Sequence, residues 1–352
     1  MAYIFPKFED LPPVTDAPPG CLWGFYDRDG QKDEIGSINL LTPQVVKEAS
    51  GEIQTGRHVQ LDWPLNSLKF PTWGRKILDH RLLDMSQTEQ KSYAFDDEIS
   101  INTQACSQWD SLRHVKSLTS QLSDLRSQVL MMYAKRKWSA SEQHLFYNGL
   151  TYDEARVSKK RGIHNFCDRG GIVGRGVLID MVRYWAKIGQ PAPDPWGSYE
   201  ITVSELEAAL SDQHGTQTRQ GDILLVRTGY IQRHNAATDA ERQEGTQANF
   251  RSIGLAPRES MLRWLYDRHF AAVVADNVAV EALPSPPDSE CSSLLLHDWL
   301  LVWWGTPLGE LWDLEGLGKV CSELGRWTFF LTSAPLNVTG GAASPPGAIA
   351  IF

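Results

Sequence analysis

The stretch TVSELEAALSDQHGTQTRQGDILLVRTG, from Thr202 to Gly229, carries two different periods side by side. Its first half reads as a helix, with Thr202 and Glu205 as a capping box and Gly215 as the terminator. Its second half, from Asp222 to Arg227, reads as a buried strand, because the apolar run is unbroken and too short for a helix. PRESMLRWLYDRH (257–269) repeats the helix and FAAVVADN (270–277) the strand. DLEGLGKVCSELG (313–325) and WTFFLTSAPL (327–336) form a last pair. Strands alternating with helices of roughly a dozen residues predict an α/β fold.

Upstream, LLTPQVVKEASG (40–51) predicts a short helix capped by Thr42, opened by Pro43 and stopped by Gly51. Residues 52–135 are less periodic. Residues 1–20, rich in Pro and Asp, predict an arm that packs on the body or crosses to a neighbouring subunit, leaving 21–352 as a single domain. The uncharged apolar end SPPGAIAIF (344–352) predicts burial in a sheet or a subunit interface and, with the arm, favours a homodimer or higher homo-oligomer.

Composition narrows the classes of function. A hydrophobic share of 42% supports a large core, and a formal charge of −9 with no basic cluster argues against nucleic acid as a partner. The N-terminus lacks the basic start and apolar run of an export signal, and SLLLHDWLLVWWG (293–305) is too short to span a bilayer. Cys21, Cys106, Cys167, Cys291 and Cys321 form no CxxC pair, so a cytoplasmic, reducing location without a disulfide framework is expected. The expected partner is therefore a small-molecule substrate, with no membrane and no nucleic acid.

Chemistry concentrates in QACSQWDSLRHV (104–115). If residues 108–110 are extended, Gln108 and Asp110 share one face, Gln104 lies near it, and Ser107 and the indole of Trp109 point the other way. His114, one short loop on, is placed to fold back toward the carboxylate at a distance suited to proton transfer through a water. These residues by themselves fit either a site or a polar loop with a satisfied Asp and His.

The stretch resembles the HxGTHxDxPxH signature of the cyclase family of metal-dependent hydrolases, which includes kynurenine formamidases and isatin hydrolases. The first histidine falls on Gln104, the glycine on Cys106, the threonine on Ser107, the second histidine on Gln108, the aspartate on Asp110, the proline on Leu112 and the last histidine on His114. HDWLLVWWGTPLGELWDL (297–314) is similar to a later family segment through His297, Leu300, Leu301, Glu310, Asp313 and Leu314, with one extra residue between His297 and Glu310. EIGSINLLTPQVV (34–46), RGIHNFCDRGGIVGRGVLID (161–180), GDILLVRTGY (221–230) and SAPLNVTGGAASPPGAIAIF (333–352) look like the fungal branch.

The resemblance implies the cyclase-like α/β fold, a mostly β body flanked by helices, and a homodimer. It also implies metal ligation at the first two signature positions, the aspartate and the late histidine and glutamate, with the final histidine as base. Carried over, the metal candidates are Gln104, Gln108, Asp110, His297 and Glu310, and the catalytic candidates are Asp110, His114 and Glu310. Glutamine offers an amide oxygen, a harder and weaker ligand than imidazole, which shifts the expected ion from Zn²⁺ to Mn²⁺. Two carboxylates neutralise one divalent ion and not a pair.

Three functions stay open at this point. One is a hydrolase of a cyclic amide, lactone or formamide, its water activated by one weakly held divalent metal, by His114, or by both. A second is a metal-independent lyase, cyclase or dehydratase of secondary metabolism using Asp110 and His114. The third is a small-molecule binder without turnover. Gln104, Gln108, Trp109, Tyr26, Phe25, Trp63, Trp73 and His164 are the candidate substrate-binding residues, with ordinary packing the competing use of each aromatic. Gly170, Gly171, Gly174 and Gly176 read as tight-turn glycines and Cys106 as buried and inert. Asp276 and Asn277 read as a turn-forming pair, Asp180 as a strand-end carboxylate, and His58, His80, His144, His214, His234 and His269 as surface residues without a role.

Overall fold

A computed structural model describes residues 3–15, 17–89, 91–114, 145–284 and 295–352; Val115, His144 and Cys291 lie outside them. The helices and strands of the second half form where the sequence places them. Val203–Asp212 is a helix with the full Thr202–Glu205 capping box, Ile223–Arg227 a strand, Glu259–Arg268 a helix and Ala272–Ala275 a strand. Glu315–Leu324 and Thr328–Ser333 complete the series. Thr42 caps the helix Pro43–Ala49 by accepting from the Val45 N–H.

Nine strands join in one sheet, in the order His58–Gln60, Ala348–Ile351, Thr328–Ser333, Ile172–Asp180, Ile223–Arg227, Ala272–Ala275, Leu308–Glu310, Gln108–Asp110 and Ala343–Ser344. The four from Ile172–Asp180 to Leu308–Glu310 run parallel and the others pair antiparallel. Ile223 to Val226 and Ala272 to Ala275 are fully buried, as expected of parallel strands covered on both faces. The C-terminal strand lies inside the sheet with Phe352 fully buried, so the apolar end is accounted for within the chain. Among the described residues no helix is long and apolar enough to cross a membrane, and Cys21, Cys106, Cys167 and Cys321 are free thiols.

Two local features depart from the sequence expectations, the glycines of one strand and His234, while the arm takes one of its two expected courses. Gly170 and Gly171 do have positive φ, but Gly174 and Gly176 lie within a strand. A Cβ on Gly176 would stand 2.2 Å from the Phe329 ring and one on Gly174 2.7 Å from Leu41, so close packing and not a turn requires them. The arm packs on its own chain, Phe5 stacking on His269 at 3.8 Å and Phe8 meeting Tyr266 edge-on. His234 is buried rather than surface-exposed: it is 1% exposed, lies edge-on to Trp63, and neither ring nitrogen has a partner.

Burial, together with Arg242 and Lys69 and against Asp239, pushes the His234 pKa down to about 4. The folded value lies below the unfolded value of about 6.5, so the stabilisation from the neutral ring is present above pH 6.5 and is lost as pH falls toward 4. Acidification from pH 7 to 5 is expected to cost about 2 kcal/mol at this residue. A His234→Phe variant should lack that part of the loss. Chemical denaturation at the two pH values checks this, and an equal loss in both proteins contradicts it.

Candidate active site

The strand Gln108–Asp110 lies beside Leu308–Glu310 with Gln108 directly opposite Glu310 and Asp110 opposite Leu308. Side-chain alternation sends Gln108 and Asp110 to one face, and the Gln108 Nε2 donates across the strands to Glu310 Oε2 at 2.6 Å. Gln104, in the turn before the strand, donates from Nε2 to Asp110 Oδ1 at 2.5 Å, and its Oε1 accepts from Gln108 at 3.2 Å. His114 is held in the following turn by its N–H to Ser111 O, with Nε2 3.7 Å from Asp110 Oδ2.

His297 arrives from a distant segment. It immediately precedes a π-helix, Asp298–Trp304, that leads to the strand bearing Glu310. A π turn accommodates one residue more than an α turn. His297 Nε2 lies 3.0 Å from Glu310 Oε1. Ligand atoms of Asp110, His297 and Glu310 all fall within 4.8 Å of one another.

Two residues not singled out in the sequence complete the cluster. Glu281, fully buried, accepts from His297 Nδ1 at 2.8 Å and from the Leu296 N–H at 2.5 Å. Its sequence signal is a lone carboxylate within the apolar NVAVEAL (277–283). Arg75 donates from Nη1 to Gln104 O at 3.0 Å, and its guanidinium stands over the Trp73 ring. Nothing in PTWGRK (71–76) distinguishes it from an ordinary surface arginine.

The electrostatics follow from burying three carboxylates around one imidazole. Burial and the neighbouring Asp110 charge push Glu310 up to about 7, against the pull of His297 and Arg75. Burial works against a charged His297, but hydrogen bonds to Glu281 and Glu310, and their charges, outweigh it and hold its pKa well above the usual range. His114 shifts the other way: burial lowers its pKa, helped by Arg75 and His297, and Asp110 only partly compensates.

A metal can be tested against this arrangement. With Nδ1 bonded to Glu281, a neutral His297 turns the Nε2 lone pair toward the Glu310 carboxylate, so a proton or a cation has to lie there. Carboxylate–imidazole pairing of this kind is the usual support for a metal-ligating histidine. Asp110 Oδ2 and Gln108 Oε1 are buried without a hydrogen-bond partner, which supplies two further oxygen donors. One imidazole nitrogen with carboxylate and amide oxygens fits a single hard divalent ion.

The other candidates are placed elsewhere. Trp109 is fully buried on the opposite face, against Trp312 and with Nε1 donating to Ser333 Oγ at 2.8 Å, so strand alternation removes it from the cluster. Phe25 and Tyr26 pack under the N-terminal arm with Tyr3 and Phe5, Tyr26 lining a cavity of about 20 Å³ there. The Trp63 ring packs on His234, and only its backbone N–H reaches toward the signature, donating to Ser107 Oγ at 2.7 Å. His164 accepts from the Gly340 N–H at 3.2 Å, and this loop in turn accepts the Ser111 N–H at Ala342 O. Trp73 lies at the rim beside Arg75.

Asp276 accepts from Thr228 and Gly229, and Asp180 caps the helix Met181–Lys187 and pairs with Arg227. Both are structural carboxylates. Burial pushes the Cys106 thiol up to about 12, in keeping with an inert residue.

No curated protein sequence matches the chain. A crystal structure described as a novel cyclase is similar over 94% of this chain and 99% of that one, at 28% identity and a TM-score of 0.74. Isatin hydrolase A from Labrenzia aggregata, bound to benzyl benzoate, is similar over 87% of this chain and 97% of that one, at 17% identity and a TM-score of 0.53. Isatin hydrolase A from Ralstonia solanacearum covers 93% and 100% respectively, at 14% identity and a TM-score of 0.52. These last two share the fold. The cyclase family model matches residues 59–282, more than half of the sequence, and the chain therefore belongs to the cyclase family.

Proposed function

We propose that the protein is a small-molecule hydrolase that opens a carbon–nitrogen or ester bond in a cyclic amide, lactone or formamide. One observation carries this reading: ligand atoms of Asp110, His297 and Glu310 lie within 4.8 Å of one another, and the partnerless Asp110 Oδ2 is 3.7 Å from His114 Nε2. Membership of the cyclase family supports an enzyme.

A divalent ion at Asp110, His297 and Glu310, with Gln108 and Gln104 as weaker oxygen donors, would polarise the scissile carbonyl and acidify a water. The amide oxygens favour Mn²⁺ over Zn²⁺. His114, neutral because burial lowers its pKa, accepts the proton of the attacking water. As the carbon–nitrogen or carbon–oxygen bond breaks, the same proton passes to the departing nitrogen or oxygen. Among the described residues Gln108 commits both amide hydrogens, to Gln104 Oε1 and Glu310, whereas Gln104 commits one, to Asp110, and keeps the other for a developing oxyanion. A homodimeric, cytoplasmic enzyme of secondary metabolism completes the proposal, on the family resemblance and the free thiols.

A specific feature favours the second reading. Both glutamine NH₂ groups donate onto the carboxylates, and His297 bridges Glu281 and Glu310, so protons alone satisfy Glu310, Glu281 and Asp110 Oδ1. Asp110 and His114 would then abstract a proton next to a carbonyl, as in a lyase, cyclase or dehydratase. Turnover of a panel of aryl formamides, lactones and cyclic amides, before and after chelator dialysis, separates the readings. The hydrolase is expected to lose activity on dialysis and regain it with Mn²⁺. Full hydrolysis after dialysis selects a hydrolase that uses His114 without metal, elimination or ring closure in place of hydrolysis selects the lyase or cyclase, and ligand binding without turnover of any kind selects the binder.

A further inference from the structure

We propose that Arg75, with the Trp73–Phe250 edge beside it, forms an anion-binding rim that receives the carboxylate of a flat aromatic acid. The inference rests on the hydrolase reading of the same site, because opening a cyclic amide or lactone leaves a carboxylate on the product. It narrows the substrate class to aromatic rings whose acyl group becomes that carboxylate.

The rim is built from the short turn Thr72–Gly74, in which Trp73 adopts a φ of 57°. Arg75 follows this turn and is tied down twice. Its Nη1 donates to Gln104 O at 3.0 Å, the backbone of the residue whose side chain holds Asp110. Its guanidinium carbon lies 4.7 Å from the centre of the Trp73 ring, and that ring meets Phe250 edge-on at 5.9 Å. The result is a cation over an aromatic ring at the margin of the acidic cluster.

Simple charge neutralisation does not account for this placement. A guanidinium recruited for that purpose would close bidentately on a carboxylate. Asp110 and Glu310 are the charges that act on Arg75, yet among the described residues it forms no ion pair within 4.0 Å. Its Nε and Nη2 carry no hydrogen bond among the described residues, and the side chain is half-buried rather than swept into solvent. An anionic ligand approaching three buried carboxylates needs a compensating cation, and among the described residues Arg75 keeps Nε and Nη2 available for it. The aromatic pair beside it offers a face for a ring.

Calorimetric titration of the full-length protein with benzoate and with benzamide, its neutral isostere, tests the rim. Wild type is expected to bind benzoate about tenfold more tightly than benzamide, the difference made by one charge-assisted contact. Arg75→Met should erase that preference while leaving benzamide binding unchanged, and Arg75→Lys should restore part of it. Equal affinities in wild type, no benzoate binding, or a parallel loss of both probes in Arg75→Met overturns the proposal. The wild-type comparison needs no variant, which keeps the test valid if Arg75→Met folds poorly. The titrations also need no turnover and no added metal. Chelator-sensitive hydrolysis without a charge preference removes the rim alone, and a charge preference without hydrolysis removes the reading on which it was built.

Discussion

A His114→Ala variant is expected to lose turnover by roughly 10² to 10⁴, the span that a positioned general base contributes, while keeping its divalent-ion content. The backbone fixes this residue through the His114 N–H to Ser111 O, and Ser111 is itself bonded to the loop at Ala342. Its Nε2 stands 3.7 Å from Asp110 Oδ2, beyond a good direct hydrogen bond and suited to an intervening water or substrate proton. An Asp110→Asn variant keeps shape and loses charge. It should lose turnover and the bound ion together, because the ligand and the partner of the base are the same carboxylate. Measuring kcat and metal content on the same samples separates the two roles. Undiminished kcat in His114→Ala would place the base elsewhere.

Glu281→Gln carries the second large effect, although Glu281 touches no substrate in this account. The carboxylate receives three donors, the Leu296 N–H on one oxygen and His297 Nδ1 and, at 3.4 Å, the His297 N–H on the other, and each expects an acceptor. Glutamine has one acceptor oxygen and turns its NH₂ toward the other side, leaving at least one buried N–H unpaired at a cost of about 1–3 kcal/mol. The His297 ring also loses the anchor that fixes its orientation. Outer-shell changes of this type lower metal affinity or activity by roughly 10- to 100-fold. Titration with Mn²⁺, paired with denaturation, reads both consequences. Unchanged Mn²⁺ affinity would mean that Glu281 serves the fold and not the site.

The helices and strands of the second half were legible because their signals are local. Thr202 and Glu205 cap a helix through neighbours three positions apart, and the run Ile223–Val226 needs only its own composition to be read as a buried strand. The pairing of Gln108 with Glu310 is not local: their separation of 202 positions is closed by sheet register. Resemblance rather than spacing pointed to that pair. Trp109 shows the opposite case, since strand alternation alone assigns its indole to the far face, where Trp312 and Ser333 hold it.

Glu281 and Arg75 were not legible. A carboxylate within an apolar run and an arginine after a tight turn acquire meaning only when the chain brings His297 and Gln104 beside them. His234 failed for the same reason, because the burial that suppresses its charge comes from Trp63, far away in sequence. Phe25 and Tyr26 were drawn off by the N-terminal arm, whose landing place on Tyr266 and His269 has no sequence signature.

The central claim is that Asp110, His297 and Glu310 hold one divalent ion beside His114. Anomalous diffraction from crystals soaked in Mn²⁺ tests it directly. The account predicts a single peak at bonding distance from Asp110 Oδ2, His297 Nε2 and a Glu310 oxygen, with Glu281 still on Nδ1. A cluster without a peak at saturating Mn²⁺, its glutamine amides still donating to Asp110 and Glu310, would contradict it.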